Sequence, residues 1–199
     1  MTNVEEPSAS SPYEKDGRAW RIGTQDDVSW IQQGLTPGTA ITTAIPPEFE
    51  AYATIALCEG EPGDRVPTDP DSAVFDVLDA YTDPQPWWLG YLETGASDVV
   101  FPEAPRVKLY WDWAYVMVCA GPEQAASWSR DQMWNWSLPA LMFPKNRAWL
   151  VSLLWDDDWV SVGGSAELIT SLQQHPKLVR STHPCSPSDP DAAPPGLRV

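Results

Sequence analysis

The sequence predicts a single α+β domain, with a largely antiparallel sheet and a few flanking helices. Short runs rich in β-branched and aromatic residues follow one another closely in 106–120 and 147–162, and tight turns join them, which is typical of hairpins. Two amphipathic segments, around residues 72–81 and 165–172, have the periodicity of helices. Runs of hairpins with helices at the ends indicate an α+β fold with a largely antiparallel sheet.

The first part of the domain is predicted to mix short elements. Arg18–Ile22 indicates a short strand, and Thr24–Asp27 has the spacing of a capping box, so a short helix begins there and stops at Gly34. Thr39–Ile45 predicts a second strand, which two prolines end. The alternation of apolar residues within 49–57 predicts a third strand.

The rest of the domain alternates hairpins and helices. A loop rich in Gly, Pro and Asp, Glu59–Asp71, precedes a helix that Ser72 is expected to cap. A short helix is expected to begin at Pro122, and Gly163-Gly164-Ser165 is expected to make a tight turn that caps the last helix. The predicted strands are 87–93, 99–101, 106–111, 113–120, 147–155 and 159–162.

Both ends of the chain are predicted to lie outside this domain. Residues 1–16 are rich in Glu, Ser and Pro, and residues 181–199 are rich in Pro, Ser and Asp. Such compositions bury too little apolar surface to order themselves. We therefore expect a disordered leader over 1–16, a folded domain over 17–180 and a disordered tail over 181–199.

The charge of the chain restricts its partners. Lys and Arg number 12 against 28 Asp and Glu, which gives a formal net charge of −16. This charge disfavours nucleic acid and anionic membranes, and it favours a protein partner with a basic surface, although it also serves solubility alone. No leader of the secretory type begins the sequence, and three irregularly spaced Cys indicate neither a disulfide framework nor a zinc site. Cytoplasmic localisation is therefore expected.

Two acidic stretches are candidate partner-binding sites. The first is the long loop before the middle helix, whose candidate residues are Glu61, Asp64, Arg65, Asp69 and Asp71. The second is Asp156-Asp157-Asp158, between two predicted strands. Solvated loops or, for the Asp triplet, a divalent cation are the alternatives. Because adjacent residues on a tight turn rarely converge on one ion, no metal is expected there.

No catalytic arrangement is evident, and the protein is not expected to be an enzyme. His175 precedes a proline at a helix end and His183 lies in the predicted tail. The 12 Trp cannot all be fully buried, since each indole N–H needs a hydrogen-bond partner. One or two of them are therefore candidate interface anchors. A small carboxylate-dependent hydrolase, with Trp as sugar platforms, is an alternative.

Three segments carry a resemblance. Leu141–Ile169 contains Pro144-x-x-Arg147-x-Trp149, an acidic turn and Val162-Gly-Gly-Ser165, and it resembles a pattern of small actinobacterial cytosolic proteins; Ile45–Tyr52 resembles a second signature of that group. With Trp87–Asp98, the chain is similar to the mycobacterial immunity factors of necrotizing toxins. The resemblance implies an antitoxin that binds an NAD-cleaving toxin domain and blocks its NAD site, without catalysis or a cofactor. A scaffold protein without inhibitory activity is the remaining alternative.

Overall fold

A nine-stranded sheet lies at the centre of the computed structural model, and all of its strand pairs are antiparallel, which confirms the predicted α+β class. The structure describes residues 13–59, 66–67, 71–94, 99–128, 138–155, 157–195 and 197. The strands are β1 (Glu14–Lys15), β2 (Arg18–Ala19), β3 (Arg21–Ile22), β4 (Ala51–Ala56), β5 (Cys58–Glu59), β6 (Val66–Pro67), β7 (Trp87–Leu92), β8 (Val107–Leu109), β9 (Trp113–Ala120), β10 (Leu141–Pro144), β11 (Leu150–Ser152), β12 (Trp159–Gly164) and β13 (Thr182–Cys185). The helices are α1 (Gln25–Val28), a 3-10 helix (Ile41–Thr43), α2 (Asp71–Ala80), α3 (Pro122–Trp128) and α4 (Ala166–Gln174).

The strand order of the main sheet is β13-β4-β12-β11-β10-β7-β9-β3, and β8 also pairs with β9. Hairpins account for the neighbours β8–β9, β10–β11 and β11–β12, because each pair is joined by a short connection. Two small two-stranded sheets, β1–β2 and β5–β6, lie outside it.

The two faces of the sheet carry separate cores. Side chains alternate along β9, so that Val116 and Val118 lie in one core and Tyr115 and Met117 in the other. The helices α2, α3 and α4 cover the first face. The irregular segment 24–47, with α1 and the 3-10 helix, covers the second face. The result is three layers: α2, α3 and α4 on one face, the sheet, and a largely irregular layer with α1 and the 3-10 helix on the other face.

Several predicted elements are confirmed. In the predicted capping box, the Thr24 backbone N–H donates to the Asp27 carboxylate at 2.9 Å. The prediction for β9 matches the observed strand residue for residue, and so does the short helix that begins at Pro122. Ser165 caps α4, because its hydroxyl accepts a hydrogen bond from the Leu168 N–H at 3.2 Å.

Other predicted elements are wrong. Thr39–Ile45 is not a strand but contains the 3-10 helix, and the Thr43 hydroxyl makes local hydrogen bonds to the carbonyls of Thr36 and Gly38 at 3.0 and 2.9 Å. Threonine hydroxyls that bond nearby backbone groups compete with strand pairing. Residues 99–101 form no strand, since Phe101 adopts a positive φ of 59° within a turn.

The loop before the middle helix also differs from its prediction. Cys58 and Glu59 pair with Val66 and Pro67, so the described base of the loop is a short hairpin. The helix that follows begins at Asp71, one residue before the predicted cap at Ser72.

The ends of the chain correct the predicted domain boundaries. The prediction of a disordered tail is wrong for the described residues of 181–199, because β13 pairs with β4 and the side chains of Ala192, Ala193 and Leu197 are buried. Strand pairing and a few apolar contacts order this segment despite its composition. At the other end, the hairpin of β1 and β2 begins the described fold at residue 13, within the predicted leader.

A bidentate ion pair joins Arg106, just before β8, to Glu93, just after β7. It makes the stability of the fold depend on pH. Arg106 Nε and Nη2 donate to the Glu93 carboxylate at 3.2 and 2.8 Å, and this bonding lowers the pKa of Glu93. Because the folded-state pKa is the lower one, the ion pair stabilises the fold above the ordinary Glu pKa, and this stabilisation is lost as the pH falls through the folded value.

We expect an NMR titration of the Glu93 carboxyl carbon to give a midpoint below that of the Arg106→Gln variant, in which the guanidinium is absent. Equal midpoints in the two proteins would contradict the ion pair.

Candidate functional site

A cleft of about 350 Å³ opens at one end of the second sheet face. Four pieces of chain form it: the segment 38–44, the turn between β8 and β9, the turn between β11 and β12, and residues 191–197. Only the two turns belong to hairpins that the sequence predicted. The cleft is therefore assembled by tertiary contacts between distant parts of the chain.

Four indole rings dominate the lining of this cleft. They belong to Trp111, Trp113, Trp155 and Trp159. The Trp111 and Trp113 rings are 4.8 Å apart and inclined by 45°, and the Trp113 and Trp155 rings are 6.0 Å apart and inclined by 66°. Trp111 is 52% exposed and Trp155 is 43% exposed, whereas most large apolar side chains of the described residues are buried. Exposed indoles gathered in one cleft are typical of a binding surface.

The turn between β8 and β9 holds Trp111 outward. Leu109 pairs with Trp113, so that three residues connect the two strands. Tyr110 and Asp112, on either side of Trp111, have positive φ angles of 54° and 62°. This conformation is uncommon for a residue as large as tyrosine, and such outliers concentrate at functional sites.

Tyr110 is fixed beneath the turn by its hydroxyl. The hydroxyl lies 3.0 Å from the Ala44 carbonyl, to which it donates, and 2.7 Å from the Ser152 hydroxyl. Burial raises the pKa of Tyr110 above its ordinary value, so the phenol stays neutral and remains a donor. These contacts tie the hairpin to the segment 38–44 and to β11, and they offset the strained backbone.

The C-terminal segment supplies the remaining wall. The Ala192 N–H donates to the Thr39 carbonyl at 2.8 Å, and the Thr39 hydroxyl donates to the Pro190 carbonyl at 2.9 Å. Leu197 packs with Trp159 and with the end of β4. Thr39 and the residues around Ala192 thus close one side of the cleft together.

The charge of the lining is negative. Asp157 and Asp191 contribute carboxylates, and within the described part of the chain the lining contains no Lys, Arg or His. Apart from these two carboxylates and a few hydroxyl and backbone groups, the surface is apolar. The arrangement suits a ligand that combines a flat or apolar body with positive charge.

The residues proposed from sequence fall into three groups. Asp157 lines the cleft, and the half-buried Asp158 accepts a hydrogen bond from the Leu57 N–H on its backbone carbonyl at 2.8 Å. Asp71 begins α2, and its side chain is outside the described part. Five candidates lie outside the described residues: Glu61, Asp64, Arg65, Asp69 and Asp156.

Sequence reasoning missed two walls of the cleft. The first wall, 38–44, overlaps the predicted strand Thr39–Ile45, and the second, 191–197, lies within the predicted disordered tail 181–199, so neither was a candidate. Their contribution depends on contacts such as Thr39 with Ala192, which are far apart in sequence. The local signals that did point to the cleft were the Asp triplet, which includes Asp157, and the general expectation that one or two of the 12 Trp are interface anchors.

Neither histidine lies at the cleft. His175 ends α4 and accepts a hydrogen bond from the Lys177 N–H at 3.3 Å, and His183 is in β13, where burial lowers its pKa. Among the described residues, no group of three or more His, Cys, Asp or Glu side chains is placed to hold a metal ion. In the same part of the chain, no helix is long and apolar enough to cross a membrane.

Comparison of the chain with protein-family models, with curated proteins and with solved structures finds no match. The similarity to immunity factors therefore stays a hypothesis from sequence.

Proposed function

We propose that the protein is an immunity protein that binds an NAD-glycohydrolase toxin in the cytoplasm and inhibits it by occluding its active site. The exposed aromatic cleft, with Asp157 in its wall, is the observation that carries the proposal. Tryptophan is enriched among the residues that dominate the energy of protein interfaces, especially where the rings are partly enclosed. In this role the protein needs neither a catalytic step nor a cofactor.

The charge of the protein supports a basic partner. A net charge of −16 attracts a positively charged surface over a distance, which raises the association rate. At close range the turn 155–159 presents Asp157 beside two indoles. Long-range attraction and short-range apolar contact are thereby combined on one surface, which covers the active site of the toxin.

Reversing the charge of the cleft is expected to weaken inhibition. In the Asp157→Lys variant, about tenfold more protein is needed to stop NAD cleavage by the purified toxin domain, because one attractive charge becomes repulsive. NAD consumption in equimolar mixtures, measured at low and at high salt, gives the effect.

The matched control is Glu167→Lys, which makes the same change of charge in the exposed first turn of α4, on the opposite side of the sheet. Equal inhibition by both variants would show that the cleft is not part of the interface with the toxin. Unchanged NAD consumption in the presence of the wild-type protein would refute the immunity function itself.

A second candidate function uses the same cleft. Two carboxylates, Asp157 and Asp191, line it together with rings on which sugars can stack, so a small carboxylate-dependent hydrolase remains an alternative. Turnover of a glycoside that is abolished by Asp157→Asn or Asp191→Asn, with folding intact, would favour the hydrolase. Capture of native partners other than a toxin would instead favour a non-inhibitory scaffold.

A further inference from the structure

Four tryptophan rings away from the cleft are covered by basic side chains of the same chain. The pairs, with the distance from the cationic group to the ring centroid, are Arg18 on Trp20 at 3.7 Å, Arg21 on Trp88 at 4.9 Å, Arg147 on Trp30 at 5.0 Å and Lys15 on Trp128 at 5.8 Å. A cation over an indole face within about 6 Å is attracted by the charge distribution of the ring. Three of the four pairs use arginine.

The indoles of the cleft are different. The Trp113 ring contacts those of Trp111 and Trp155, and Trp159 packs with Leu197. No basic side chain of the described residues lies over any of these four rings. The chain has only 12 Lys and Arg, and four of them already cover rings elsewhere. Within the described part of the chain, the faces of the cleft indoles are thus not covered by a cation.

The geometry of the rings suits a compact cation. Their planes are inclined by 45° and 66°, so they form walls at an angle to one another and not one flat platform. Sugars stack on flat, exposed faces, whereas a cation gains from several faces directed at it. Asp157 and Asp191 add negative charge to the same lining.

We infer that this cleft binds the guanidinium group of an arginine side chain on the surface of the partner protein. The inference rests on the proposed function, because it names the group of the partner that the cleft recognises. Arginine suits the site better than lysine, since its planar group stacks on indoles, is less strongly hydrated and donates two parallel hydrogen bonds to a carboxylate. The chain itself uses the same pairing, with Arg18 stacked on Trp20 at 3.7 Å.

The test uses the peptide acetyl-Gly-Arg-Gly-amide and the same peptide with citrulline, which has the shape of arginine without its charge. Nitrogen-15 NMR spectra of the whole protein report each indole N–H separately. We expect the arginine peptide to shift the signals of Trp111, Trp113 and Trp155 saturably, and the citrulline peptide to bind about tenfold more weakly. Equal binding of the two peptides, or no saturable shift, would overturn the inference. Cellobiose that shifts the same signals, while the arginine peptide does not, would overturn it in favour of a sugar site.

Two variants test the contributions of the aromatic rings and of the negative charge to peptide binding separately. Trp111→Ala removes an exposed ring, and Asp157→Asn removes a charge at constant size, so each should weaken binding of the arginine peptide about tenfold. The control is Tyr81→Ala, which removes an exposed ring just after α2 and should leave the affinity for the arginine peptide unchanged. If all three variants bind alike, the cleft is not the site.

The peptide experiment contains no toxin, so its outcome is independent of the inhibition assay. Arginine binding without toxin inhibition would refute the immunity function and leave this site standing. Inhibition without arginine binding would refute the site and leave the function standing.

Discussion

Replacement of Trp149 by alanine is expected to lower the free energy of unfolding by about 3–5 kcal/mol. Trp149 is completely buried and meets the Trp87 ring edge to face, with 4.8 Å between centroids. Its indole N–H donates to the Thr82 hydroxyl at 2.8 Å. The substitution leaves a cavity between the sheet and α2, and it also breaks the aromatic pair and the hydrogen bond.

The control for this substitution is the same change at Trp111, which is 52% exposed. Trp111→Ala loses only ring contacts, so we expect a decrease of about 1 kcal/mol. Urea unfolding followed by circular dichroism measures both values. A loss at Trp149 no larger than the loss at Trp111 would show that the Trp87–Trp149 pair does not hold the helical layer on the sheet.

Gly163→Ala is expected to lower the free energy of unfolding by about 2–3 kcal/mol. Gly163 is in β12, and a Cβ atom there would lie 2.6 Å from Ile45 Cγ2 and 2.6 Å from Phe49 Cδ2. Glycine is therefore needed for the close approach of the segment that covers the second sheet face. This reason replaces the tight turn that the sequence predicted for Gly163-Gly164-Ser165, since both glycines belong to the strand.

Gly121→Ala provides the matched control, because the Cβ added there meets only the end of the flexible Gln124 side chain, at 3.3 Å. The free energy of unfolding of this variant should stay within about 0.5 kcal/mol of the wild-type value. Thermal unfolding of the two variants side by side gives the comparison. Similar stabilities would mean that Ile45 and Phe49 can move away at little cost.

The parts of the fold that were predictable are those that local sequence determines. The alternation within Trp113–Ala120 defines a strand by itself, and Pro122 begins a helix because its ring fits the first helical turn. Asp27 reaches back to the Thr24 N–H, a contact within four residues. The Asp triplet was correctly placed between two paired strands, and Asp157 is the one candidate among the described residues that lines the cleft.

The parts that were not predictable depend on distant contacts. The 3-10 helix at Ile41–Thr43 has a β-branched composition that favours a strand, but hydrogen bonds from the Thr43 hydroxyl to nearby carbonyls compete with strand pairing. The order of the C-terminal segment comes from pairing with β4 and from Thr39, more than 140 residues earlier, and no pattern in the segment itself encodes those partners. Two walls of the cleft were missed for this reason.

The position of β13 in the sheet has a consequence for the synthesis of the protein. Among the described elements, β13 and the residues that follow it come last in chain order, so they leave the ribosome after the others. Until then, β4 is an edge strand whose unpaired backbone groups are exposed, which is a hazard for association between nascent chains. The same late segment completes the cleft. When this segment folds, β4 gains its second neighbour in the sheet and the cleft gains one of its walls.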